Sequence, residues 1–117
     1  MIFTVQPKVY PIHYIFMLGE WNAEYVKKNF DDKVVAPTPH DGGACYDNNQ
    51  KVLIWLEKVP TDDQGIGMLA HECLHAVIHS AKYIGITLHD SSDEFYCYML
   101  QWLLLSALTK TKQLTNG

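Results

Sequence analysis

The 117-residue chain has no C-x-x-C pair, no block of lysine and arginine, no internal repeat and no long apolar run. Each absence excludes something. Cys45, Cys73 and Cys97 are odd in number and widely spaced, which argues against a cysteine zinc ribbon or a disulfide framework. Three reduced thiols, mostly buried, are expected instead. A formal net charge of -4 without a basic cluster makes nucleic acid and anionic membrane surfaces poor partners. The longest apolar segment, Phe95 to Leu108, is interrupted by Gln101 and Ser106 and falls short of the roughly 20 residues a spanning helix needs. The first residues show no basic region ahead of an apolar stretch and no cleavage signature. A soluble, cytoplasmic protein is the expectation.

What is present suits one packed domain over residues 1–117, since this length supports a single core. His13 to Leu18 is apolar, rich in aromatic and β-branched residues, and closed by Gly19; it reads as a strand. Glu20 to Phe30 carries Trp21, Tyr25 and Val26 at helical spacing, with acids early and lysines late. Val34 to Gly43 holds two prolines and two glycines and reads as a loop containing His40. Ala44 to Asp47 and Lys51 to Glu57 flank Asn48-Asn49, a hairpin signal because Asn tolerates positive φ. Two long helices follow, Asp63 to Ile84 ending near Gly85, then Ser91 or Ser92 to about Thr109. The order predicts an α+β domain, a small mostly antiparallel sheet packed on two long helices.

The first long helix contains Gly67-Met68-Leu69-Ala70-His71-Glu72-Cys73-Leu74-His75-Ala76-Val77-Ile78-His79. On a helical wheel His71, His75 and His79 fall within one narrow arc, and Glu72 lies just beyond its edge. Nearly everything else around the wheel is apolar. A solvated face is normally written in Lys, Glu and Arg; this one is written in histidine.

His71-Glu72-Cys73-Leu74-His75 reads H-E-x-x-H. Residues four apart stand one turn above each other, so two imidazoles converge on one ion. Zinc accepts such ligands at about 2.0–2.1 Å. Glu72 lies off the ligand line but beside the ion, where it can take a proton from a water that the metal has acidified. His79 is two turns from His71, about 12 Å along the axis, too far to share a tetrahedral ion with it. It is expected to be exposed rather than beside the site, and His13 and His40 to be structural or at the surface.

A catalytic zinc also needs a third protein ligand and an open position. The candidates are His89, Asp90, Asp93, Glu94 and Cys97. Ser91-Ser92-Asp93-Glu94 also reads S-x-x-E, a capping box in which Glu94 would bond a backbone N–H. Tyr98 and Gln101 share Glu94's face of the second helix. The apolar stripe of that helix suits core packing or a homo-oligomer interface.

H-E-x-x-H followed some twenty residues later by a glutamate at the start of the next helix resembles the gluzincin zinc metallopeptidases. The segment AHECLHAVIHSAKYIG…SSDEFYCYMLQWL also resembles small metallopeptidase-like proteins of bacteriophages and, more loosely, compact enzymes that cleave phage and mobile-element repressors. The resemblance spans about Lys51 to Leu105. It implies a minimal zincin-like core, a Zn2+ held by His71, His75 and Glu94, and Glu72 as general base. Peptide or protein substrates would follow, with Tyr98, Tyr83 or His89 as oxyanion donor. The pattern departs from its relatives at Tyr98, where thermolysin-like enzymes have Asp, and at Cys97, where repressor-cleaving enzymes have Ala. Ile78 stands where metzincins have Gly. The resemblance also implies that the strand Lys51 to Glu57 borders the cleft as an edge and pairs with substrate, with Trp55 either flanking the peptide or buried. The alternatives are a non-catalytic, zinc-stapled binding or inhibitor protein, in which His89 or Cys97 closes the coordination sphere, and a metal-free scaffold that oligomerises through its apolar second helix.

Overall fold

The computed structural model describes residues 1–38, 42–89 and 92–116. His40, Asp90 and Ser91 lie outside the described residues. The elements are β1 (Ile2–Val5), β2 (His13–Leu18), α1 (Ala23–Asn29), β3 (Gly43–Asn48), β4 (Lys51–Leu56), α2 (Asp63–Ile84) and α3 (Asp93–Asn116). The α+β class expected from the sequence is what the structure shows.

The four strands form one sheet in the order β1-β2-β4-β3. β1 and β2 pair antiparallel, as do β3 and β4, while the central pair β2 and β4 runs parallel. Both central strands are buried on both faces. This explains why their sequences, HYIFML and KVLIWL, read as nearly continuous apolar runs. One face carries Tyr14, Phe16, Leu18, Val52, Ile54 and Leu56 against Leu69, Cys73, Ala76 and Val77 of α2 and Met99, Leu103 and Ala107 of α3. The other face packs Ile15, Met17, Leu53 and Trp55 against Val26 of α1 and Phe30. Trp55 is therefore core on the side away from α2, with its indole N–H donating to the Gly19 carbonyl at 2.8 Å. It does not flank a cleft.

Local chemistry sets the element ends. Asn22 caps α1 by accepting from the Tyr25 N–H at 3.0 Å. Asp62 caps α2 by accepting from the Gly65 N–H at 2.8 Å. At the far end of α2, Gly85 takes φ 81°, and the N–H groups of Gly85 and Ile86 close on the Lys82 and Ala81 carbonyls. Asn49 turns the β3–β4 hairpin with φ 54°, the left-handed conformation expected of an Asn there. α3 runs on past the expected end at Thr109 to Asn116. In that extension buried Thr111 donates its hydroxyl to Ala107 O at 2.7 Å, and Thr115 donates to Thr111 O at 2.9 Å.

The sheet order corrects one expectation. β4 is not an edge; it lies between β2 and β3. The phase of the β3–β4 ladder, set by Glu57 N–H donating to Gly42 O at 2.9 Å, turns the Ile54 N–H toward β2. The edge on α2's side of the sheet is β3. In the same phase Ala44, Tyr46 and Asn48 bond β4, so Gly43, Cys45 and Asp47 direct their N–H and C=O groups away from it. No strand among the described residues pairs with that outer edge.

Candidate metal centre

α2 lies across β3 and β4 with its apolar arc inward, which leaves its histidine wedge on the outside next to the β3 edge. His71 and His75 are exposed, and Glu72 is half-buried between them and the sheet. The two Nε2 atoms stand 3.2 Å apart, with ring centroids 4.9 Å apart and ring planes at 68°. Two nitrogens on one tetrahedral zinc, each bonded at about 2.0–2.1 Å, would be about 3.3 Å apart. The two rings meet in a hydrogen bond, at a spacing that also suits a shared ion. One ligand atom from each of His71, Glu72 and His75 lies within 4.8 Å of the others.

Glu72 is positioned by the sheet. A side chain at Gly43 would meet the Glu72 Cγ at 3.2 Å and the Leu56 Cδ2 at 2.9 Å, so the missing Cβ of Gly43 is what admits the Glu72 stem. Partial burial raises the Glu72 carboxyl above its ordinary value; His71 and His75 pull it back down in part. An open cleft of roughly 390 Å³ borders Glu72 and His71 and is lined also by Gly43, Gln64, Gly67 and Met68. It leaves room for a substrate beside the pair.

Deeper beneath the wedge lie two thiols. Burial pushes Cys73 up to about 12, with the Glu72 charge adding to the effect. Cys45, on the inner side of β3, is raised first by burial and then by the Glu72 charge. Both are protonated and unreactive at neutral pH. Cys97 is exposed.

The structure does not bring the second helix's candidates into the cluster. Glu94 lies in the first turn of α3 and is exposed. That turn sits beside the end of α2, where the Tyr96 hydroxyl donates to Ile86 O at 3.4 Å. His75 lies well before Ile84, about 14 Å back along the helix. Tyr98 is 67% exposed on the outward face of α3, and Asp93 and His89 are exposed and outside the cluster. Ser92 does not reach toward Glu94's turn with its hydroxyl. It accepts from the His89 N–H at 3.0 Å and donates to Thr87 O, fastening the loop between the helices.

His79 differs from its expected place at the free surface. Its Nδ1 stands 3.3 Å from Asp47 Oδ1 on β3. Sequence reasoning assigns Asp47 no role, because the contact joins a strand to a helix far along the chain. The only signal available is that Asp47 shares one side of the predicted strand Ala44 to Asp47 with Cys45.

No protein family, curated protein or solved structure matches the chain. Among the described residues no helix is long and apolar enough to cross a membrane.

Proposed function

We propose that the chain is a zinc-dependent metallopeptidase. The observation that carries this reading is the 3.2 Å separation of the His71 and His75 Nε2 atoms with Glu72 alongside. The donor set fits zinc, with two imidazoles one turn apart on a helix fixed by caps at both ends. Zinc bound there would supply Lewis-acid chemistry, acidifying a water and polarising a peptide carbonyl.

Glu72 is the general base. Its carboxylate takes the proton of the attacking water and returns it to the leaving amine. The raised carboxyl suits that work, since a base nearer neutrality passes the proton on more readily. A peptide would lie along the free edge of β3, where the outward N–H and C=O groups of Gly43, Cys45 and Asp47 hold main chain irrespective of sequence. This replaces β4 as the substrate strand. Glu94, the third ligand of the gluzincin pattern, lies outside the cluster in the structure, so the histidine pair and Glu72 alone support the proposal.

The deciding experiment is hydrolysis of a broad peptide library by zinc-loaded protein and by Glu72→Gln. Glu72→Gln should keep its zinc and fold and lose nearly all activity. A zinc-loaded wild type that cleaves nothing, with zinc essential to its fold, would establish the zinc-stapled binding protein instead.

A further inference from the structure

We infer that α2 and β3 together carry a second metal-binding set, His75, His79 and Asp47, which shares His75 with the first and holds an ion where Glu72 cannot use it. The inference rests on the catalytic reading only for the statement that the first set is the productive one.

The spacing that makes His71 and His75 a pair repeats at once, since His75 and His79 are again four apart on the same helix. The second pair has something the first lacks, a carboxylate supplied by another element. Asp47 projects from β3 toward α2, and its Oδ1 stands 3.3 Å from His79 Nδ1. Neither group is locked away, with side-chain exposures of 29% for His79 and 52% for Asp47. Two imidazoles and one carboxylate from two packed elements form a ligand set familiar for zinc and other divalent ions. In the structure His75 turns its Nε2 toward His71. His75, His79 and Asp47 are therefore not within ligand distance of one another in the structure; the set closes when the exposed His75 side chain changes rotamer toward His79.

The two sets exclude each other, because one neutral imidazole presents one ring nitrogen at a time to this face. Moving from the first set to the second shifts the ion by one helical turn, about 6 Å along the axis. Glu72 sits beside His71, a turn behind that position, and Gly43 fixes its stem at the start of β3. An ion on the second set is therefore bound but idle.

Zinc uptake by the full chain tests this, read by equilibrium dialysis with cobalt absorption spectra as a second measure. His71→Ala should still take up one equivalent of zinc yet hydrolyse nothing. His75→Ala, which removes the shared ligand, should take up none. Adding Asp47→Asn or His79→Ala to His71→Ala should abolish the retained equivalent. A His71→Ala protein that is folded by circular dichroism and takes up no zinc while wild type does would overturn the second set and leave the catalytic reading intact. Retained zinc that ignores Asp47→Asn would overturn it equally. Zinc retained by His71→Ala alongside a wild type without peptidase activity would sink the catalytic reading alone.

Discussion

The two long helices present polar residues outward in different ways, and among the described residues only one of them gathers candidate metal ligands. On α2 the outward residues include His71, His75 and, toward β3, Glu72 and His79; on α3 they include Glu94, Tyr98 and Gln101. Sequence spacing nominates both. The difference is one of scale. Two ligands within a helix are placed by covalent geometry, so a separation of four residues guarantees adjacency. Two ligands on different helices are placed by the connecting loop and by packing. Here the loop between the helices and the Tyr96–Ile86 contact set the start of α3 at the far end of α2.

The comparison is sharpest where α3 is asked to act only as packing. Leu103 is fully buried against the sheet and α2, whereas Tyr98 on the same helix is 67% exposed. Leu103→Ala should cost about 2–5 kcal/mol of unfolding free energy. Tyr98→Ala should stay within about 0.5 kcal/mol. Urea denaturation of both variants checks the contrast. A Tyr98→Ala loss as large as that of Leu103→Ala would show that the outward face of α3 is covered in solution, as a homo-oligomer through this helix would require.

A second break point is Glu94. If ligands come from α2 and β3 alone, Glu94→Ala leaves zinc affinity in a chelator titration unchanged. A large loss of affinity would restore the gluzincin ligand set and require α3 to sit differently in the metal-bound protein.

The smallest effect concerns Glu72 in metal-free protein. Its carboxyl is raised in the fold, chiefly by burial. A carboxyl raised above its unfolded value favours folding while it is protonated, and that contribution is lost as pH rises through the folded pKa. At pH 7 the ionised group is thus a small liability, moderated by solvent because the side chain is only half-buried. Glu72→Gln should raise the Tm of the metal-free protein at pH 7, with the difference shrinking toward pH 4. Calorimetry at the two pH values measures it, and no difference at pH 7 would mean that burial does not raise the carboxyl.

What is legible in the sequence follows the same division of scales. α2 can be read with its ends in place, because Asp62 and Gly85 cap it by chemistry internal to a few residues. The β3–β4 hairpin is announced by Asn48-Asn49, and the alternation of Val52, Ile54 and Leu56 against Leu53 and Trp55 matches the two faces of the sheet. β1 is not legible, since Ile2–Val5 is too short to display a period. The central position of β4 escapes the sequence because strand order is decided by which partner a strand finds. KVLIWL, apolar on both faces, holds the hint of a doubly covered strand. Within the site, the His71, Glu72 and His75 cluster is legible and the Asp47–His79 contact is not.

The parallel pairing of β2 with β4 has a consequence for how the molecule assembles. Phe16 faces Ile54 across the middle of the sheet, a contact between distant parts of the chain with α1 and β3 in between. The hairpin of β3 with β4 and the packing of α2 on α3 close far shorter loops. Loop-closure entropy must be met before a distant contact returns any free energy, so the local C-terminal pieces are favoured to form early and β2 to dock late. The histidine wedge and the β3 edge that faces it both belong to the early-forming part. The candidate ligands on α2 would then be brought together before the sheet is complete.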